Sequence, residues 1–181
     1  IKDYEALVMI QGQHYFEEFT TNEYVLELMS KQKTLNFIPG SEYEYSNSNY
    51  ILLAEIIERV SGKSLNEFAH EQIFDPLEMK HTFFHLNQGE DFPSRGIGYT
   101  LMDSTFKRPI YRSHLIGDGG IYTTLNDLIK WDMNFYTNRL GNGNNTLLNR
   151  MKYREPLSNG IQSNMAFAQV FTPHPFGENS W

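Results

Sequence analysis

Phe37-Ile38-Pro39-Gly40-Ser41-Glu42-Tyr43-Glu44-Tyr45-Ser46-Asn47-Ser48-Asn49-Tyr50 runs directly into Ile51-Leu52-Leu53-Ala54-Glu55-Ile56-Ile57-Glu58-Arg59-Val60-Ser61-Gly62, and the change of character near Asn49 orders the rest of the reading. Pro39-Gly40 is a turn pair, and the polar, aromatic stretch after it has no helical period. From Tyr50 the apolar residues Tyr50, Leu53, Ile57 and Val60 recur at helical spacing, with Ile56 beside them. Gly62 supplies the C-terminal stop. Asn47 or Ser48 is placed to cap this helix, and on the plainest reading Tyr45 packs beneath it, its hydroxyl bonded locally.

Outward from this helix, Tyr24, Val25, Leu28 and Met29 predict a short helix over residues 22–32. Ser64-Leu65-Asn66-Glu67 reads as a capping box opening a helix to about Phe74, which Asp75-Pro76 ends. Residues 96–114, with two glycines, β-branched and aromatic residues and Pro109, suit irregular chain with a hairpin. Gly117 to Gly120 form a tight turn, Thr124 to Asp127 a second capping start, and a helix follows over residues 125–137. Asn138 to Asn145 is a surface loop, residues 146–153 a short helix, and Ala166 to Phe171 a strand. Asp3 to Phe19 mixes aromatic and acidic residues without a clear period, and the sequence reads as starting inside a larger protein.

The 181 residues suffice for one domain with a real core, although a hydrophobic share of 40 % is modest. With 15 basic against 22 acidic residues the net charge is -7, so no basic footprint for phosphate exists and nucleic acid is not an expected partner. No apolar run is long enough to cross a bilayer, and Ile1 to Glu5 are too polar for a signal peptide. The absence of cysteine removes disulfides, thiol nucleophiles and thiolate metal sites.

Three patterns invite over-reading. His81 and His85 have i, i+4 spacing, but a zincin helix needs Glu directly after the first His and Thr82 stands there; no metal and no cofactor are implied. The Gly117 to Gly120 turn lacks the Gly-Lys-Ser/Thr end of a phosphate loop. Ser30-Lys31-Gln32-Lys33 matches S-x-x-K, the arrangement in which a Lys one turn after a Ser manages its proton. It sits at the polar end of a short helix with no apolar surroundings to desolvate a lysine, so it reads as a decoy.

The opening stretch resembles the region around the Tyr-x-Asn motif of penicillin-recognising serine hydrolases: class C β-lactamases, DD-peptidases and related esterases. Phe74-Asp75-Pro76-Leu77-Glu78-Met79-Lys80-His81-Thr82 is similar to that family's Pro-Leu-Gly-Met-x-x-Thr, with Glu78 in place of Gly. Gly119-Gly120-Ile121-Tyr122-Thr123-Thr124-Leu125-Asn126-Asp127-Leu128 is similar to its Gly-Gly-x-x-Ser/Thr-Thr-x-x-Asp-Leu. The three blocks stand in the family's order, and Asp3-Tyr4 is compatible with the segment after its His-Thr-Ser-Gly stretch.

The resemblance implies a mainly α chain: the helical subdomain of a β-lactamase/transpeptidase-like α+β fold, with little or none of the parent sheet, and residues 1–181 as a single partial domain. It implies Tyr45 as proton shuttle and Asn47 as an amide that donates to the substrate carbonyl and accepts from the catalytic lysine. Such a phenol becomes a useful base only where nearby cations favour its anion. The family's nucleophile motif belongs upstream of residue 1, so neither the Ser nor the Lys is expected in this chain, and Ser30 is not the nucleophile. Its third motif, Lys-Thr-Gly or His-x-Gly, does not occur; His174-Pro175-Phe176-Gly177 has one residue too many. The expectation is a fragment, inactive alone, of a hydrolase acting on β-lactams, D-amino-acid peptides or esters. Its partner would be a small-molecule or peptidoglycan-like peptide substrate, and only the resemblance points to the cell envelope. The alternative is a non-catalytic binding or scaffold domain that kept the fold. In either case an isolated helical subdomain exposes apolar surface and is expected to self-associate.

Overall fold

The computed structural model describes residues 1–12, 20–85, 91–108, 114–167, 169–173 and 179–180. The chain forms two compact units interleaved in sequence: Ile1–Thr34, Ser46–Phe68 and Thr82–Thr123 in the first, Leu35–Tyr45, Ala69–His81 and Thr124–Trp181 in the second.

In the first unit α1 (Tyr4–Ile10), α2 (Asn22–Ser30) and α3 (Asn47–Ser61) enclose a core of Tyr4, Val8, Val25, Leu28, Met29, Ile51 and Leu115. Asp3 caps α1 by accepting from the Glu5 N–H, and Tyr4 and Val8 then fall on one face, an i, i+4 pair. This helix was not foreseen from the sequence. Thr21 caps α2, which buries Val25, Leu28 and Met29 as their spacing predicts. α3 ends as expected at Gly62, in the left-handed conformation (φ 68°), whose N–H donates to the Glu58 carbonyl. Its buried face differs from the stripe read in the sequence: Ser48, Ile51 and Ala54 face inward, while Leu53, Ile56 and Val60 lie exposed. The helix is apolar over most of its circumference, so period alone does not select the inner side.

The Ser64–Glu67 capping box forms reciprocally, each residue's side chain accepting from the other's N–H. The helix it opens, α4, spans Leu65–Ala69, and π-helical His70–Phe74 carries the chain on to Asp75-Pro76. Two antiparallel pairs complete the unit. β1 (Phe83–Phe84) pairs with β4 (Ile121–Tyr122), and β2 (Thr100–Met102) with β3 (Thr105–Lys107). The latter is the expected hairpin, turned by Asp103 and Ser104 at positive φ, as a two-residue turn matching strand twist requires.

The second unit buries Phe74, Leu77, Met79, Leu140, Leu148 and Ala166. Thr124 caps α5 (Leu125–Asn134) by accepting from the Asp127 N–H. α6 covers Thr146–Lys152. The strand expected over Ala166–Phe171 is instead part of a hairpin, β5 (Met165–Ala166) against β6 (Gln169–Val170), followed by β7 (Thr172–Pro173) against β8 (Asn179–Ser180). Among the described residues no helix is long and apolar enough to cross a membrane.

Candidate functional site

The corner where α1 meets α3 is built on one carboxylate. Asp3 Oδ1 accepts from the Glu5 N–H at 3.1 Å, while its Oδ2 accepts from Ser46 Oγ at 2.8 Å and from the Ser48 N–H at 3.1 Å. Ser46, the residue before α3, makes no capping bond with its own side chain. Asp3 therefore satisfies the opening donors of two helices from 45 positions apart in the chain. A negative charge there also complements the positive end of both helix dipoles. The Tyr4 N–H donates to the buried Ser48 hydroxyl at 2.7 Å, locking the same turn from the other side.

Asn47 is the first residue of that turn. Its Nδ2 donates to Glu5 Oε1 at 2.9 Å, which fixes which end of the carboxamide is donor and which is acceptor. Glu5 of α1 is thus held by Asp3, and the Asn47 amide of α3 is held by Glu5.

Behind this corner the Tyr4 hydroxyl donates to Asp118 Oδ2 at 2.8 Å. Burial, and then the charge of Asp118, raise the Tyr4 phenol above its ordinary value, so it stays a donor. Burial also raises the Asp118 carboxyl, and the charge of Asp3 adds to this, against the lowering pull of Tyr4 and backbone N–H groups. Gly117 makes the close approach possible. At φ 118° a Cβ there would stand 2.8 Å from both Ala54 Cβ and the Tyr50 carbonyl oxygen of α3. Asn22 clamps the preceding residue, accepting from the Ile116 N–H and donating to its carbonyl.

Tyr45 closes the segment Leu35–Tyr45 of the second unit and is 66 % exposed; its ring is not sealed in a core. Ser30 and Lys33 are exposed, and the Ser30 hydroxyl donates to the Glu27 carbonyl at 2.8 Å, a helix-end bond rather than a nucleophile's contact. The His81 N–H donates to Asp127 Oδ2, and the His85 ring stands edge-on to Phe92 and Tyr122. No group of three metal-ligating side chains occurs among the described residues. His174 to Gly177 lie outside the described residues.

The second and third sequence blocks have structural reasons of their own. Asp127 is fully buried, accepting from the His81 N–H at 2.7 Å and from Lys130 Nζ at 2.8 Å. In the first unit Thr82 and Thr123 share a hydroxyl bond of 2.8 Å. Glu78, standing where the resemblance has Gly, adopts φ 60°, the conformation glycine would take without cost. Its carboxylate pairs with Arg139 at 2.9 Å, which holds it below the usual carboxylate range.

A family described as beta-lactamase matches residues 10–177. The chain belongs to the beta-lactamase family. Within it, a D-aminopeptidase of Brucella canis is 29 % identical over 179 residues, 94 % of this chain but 32 % of its own length. The chain thus spans about a third of the curated relatives it matches. Among solved structures, a D-stereospecific amidohydrolase from Streptomyces sp. superposes with a TM-score of 0.79 at 16 % identity, over 99 % of this chain and 55 % of that one. An octameric penicillin-binding protein homologue from Pyrococcus abyssi superposes with a TM-score of 0.75 at 22 % identity, over 97 % and 41 %. These two likenesses establish a shared fold.

Glu5 and Asp118 are the members of the corner that the sequence does not single out, and Asp3 enters there only with Tyr4, through the resemblance. An Asp directly before Tyr4, with Val8 four positions on, is a legible cap and helix start. That the same carboxylate also caps α3 has no local signal.

Proposed function

We propose that this chain is the helical portion of a β-lactamase-family serine hydrolase that cleaves amide bonds of D-aminoacyl substrates, with the acyl-accepting serine and its lysine outside these 181 residues. Tyr45 and Asn47 are its contribution to the chemistry. The serine oxygen attacks the substrate carbonyl and its proton passes by way of the lysine and the Tyr45 phenol to the leaving amine; water then releases the acyl group and restores the serine. Asn47 donates to the substrate carbonyl and accepts from the lysine ammonium. β-Lactams and small esters present the same carbonyl to the same groups.

The observation that carries this reading is the oriented carboxamide of Asn47, held by Glu5 in a turn that Asp3 fixes, two residues after the exposed Tyr45. Relatives named as D-aminopeptidases support the substrate class.

A fluorescent penicillin tests it. The 181 residues alone remain unlabelled, whereas a longer form carrying an upstream S-x-x-K is labelled, and Tyr45→Phe in that form slows acylation by about 10²–10⁴. Covalent labelling of the 181 residues overturns the placement of the nucleophile. A longer form that folds but stays unlabelled favours a binding domain, for which the exposed Leu53, Ile56 and Val60 of α3 would supply an interface, a second copy included.

A further inference from the structure

Glu5 stands in the first turn of α1, 42 positions before Asn47, and both residues are half-buried. Their backbones are referred to one carboxylate. Asp3 accepts from the Glu5 N–H through Oδ1 and, through Oδ2, from the N–H of Ser48, the residue after Asn47. The Tyr4 N–H, donating to Ser48 Oγ, ties the residue before Glu5 to the same turn. The 2.9 Å bond from Asn47 Nδ2 to Glu5 Oε1 therefore joins two side chains whose backbones are already fixed against each other.

The kind of group at position 5 matters as much as its place. A carboxamide has a donor at one end and an acceptor at the other, and a half-turn about its last bond exchanges them. An ionised carboxylate accepts and never donates, so only one of the two orientations satisfies it. A glutamine of the same size satisfies either, by accepting from Nδ2 or by donating to Oδ1. We infer that Glu5 is a positioning residue for the proposed acylation: as an acceptor-only partner it selects the orientation of Asn47 in which Oδ1 is turned away from Glu5 and left to the lysine. The inference rests on the roles given to Asn47 under Proposed function, and Glu5 acts through that amide. An acidic residue in the first turn of a helix also complements the dipole, whatever it bonds, so the test has to separate orientation from support of the fold.

In a longer form carrying the upstream S-x-x-K, acylation by a fluorescent penicillin is followed in time. Glu5→Gln keeps a bond to Asn47 but admits both orientations, so the folded variant should acylate about two- to tenfold more slowly. Glu5→Ala leaves the amide without this partner and should slow acylation by about ten- to a hundredfold. In an Asn47→Ala background either change should alter the rate by less than about twofold, because nothing is left to position; a residue that only supports the fold would slow both backgrounds alike. In the 181 residues, the ¹H–¹⁵N signals of the Asn47 side-chain amide should include one proton shifted downfield by the carboxylate, and Glu5→Gln should move it upfield. Amide signals indifferent to Glu5→Gln overturn the inference. So do Glu5 variants that acylate at the wild-type rate beside a slow Asn47→Ala, or that slow the Asn47→Ala background as much as the wild type; these results leave the proposed function standing. If Asn47→Ala acylates at the wild-type rate, or the longer form is never labelled, the reading of Asn47 falls and this inference falls with it. Where Glu5→Ala fails to fold, Glu5→Gln, equal in size and still bonded, decides the matter.

Discussion

α3 and α5 begin with the same need and meet it in opposite ways. α5 is capped from within its own sequence: Thr124 accepts from the N–H of Asp127, three residues on. α3 is capped from outside, by Asp3, while the adjacent Ser46 spends its hydroxyl as a donor to that same carboxylate. Their buried faces are also reversed. α3 turns Ser48, Ile51 and Ala54 inward, small enough beside Ile51 for Gly117 to come against the backbone. α5 turns Asp127 and Asn134 inward and leaves Leu125, Leu128, Ile129 and Met133 exposed. A cap that comes from elsewhere in the chain ties the start of a helix to its tertiary surroundings, and in α3 that start carries the motif amide. α5 presents its apolar side outward.

The severest way to break the α3 arrangement is to fill its closest contact. Gly117→Ala places a methyl group 2.8 Å from both the Ala54 side chain and the Tyr50 carbonyl, in a backbone conformation that alanine resists. We expect a loss of about 3 kcal/mol or more in urea unfolding. Adding Ala54→Gly should restore only part, because the Tyr50 carbonyl remains in place. An unchanged midpoint for Gly117→Ala would mean that the loop and α3 are not in contact.

Next come the two caps, measured against each other. Asp3→Ala removes one carboxylate that opens two helices and should cost about 2 kcal/mol, whereas Thr124→Ala removes a single local cap and should cost about 1 kcal/mol. The difference should also be spatial: in hydrogen exchange, Asp3→Ala exposes the first turns of both α1 and α3, while Thr124→Ala exposes only that of α5. If the two variants lose the same stability and Asp3→Ala leaves α3 protected, the shared cap is not what holds the motif turn.

How much of this was legible follows the same division. α2, α4, α5 and α6 announce themselves through spacing and local capping residues, and Gly62 stops α3 where a left-handed glycine should. Tyr45 and Asn47 stand out in the sequence as the two fixed positions of a three-residue Tyr-x-Asn pattern. What could not be read is whatever joins distant positions: Asp3 to Ser46 and Ser48, Tyr4 to Asp118, Gly117 to Tyr50. Nothing in the periodicity of α3 shows that its inner face is Ser48, Ile51 and Ala54, because Leu53, Ile56 and Val60 make an equally good stripe. The single strand expected over Ala166–Phe171 is part of a hairpin because apolar content in a short run says nothing about where the chain reverses.

The smallest expected effect separates charge from packing in the α1–α3 corner. Asp118 accepts from the Tyr4 hydroxyl, and its carboxyl is raised above the ordinary aspartate value of 3.8, with burial the largest cause. A raised carboxyl binds its proton more tightly in the folded than in the unfolded chain. Stability on this account is therefore greatest near and below the ordinary value and declines as pH rises through the elevated one. Asp118→Asn keeps an oxygen for Tyr4 and removes the charge, so it should cost little at pH 7, within about 1 kcal/mol of wild type in either direction. Relative to wild type it should improve as pH climbs above the ordinary aspartate range, since only the wild type then ionises a buried group. The unfolding midpoints of the two chains, compared from pH 4 to pH 7, check the sign. A wild type that gains on the variant as pH rises would show that the Tyr4 and backbone donors outweigh burial, and that the α1–α3 corner, like the start of α3 itself, is held by a charge.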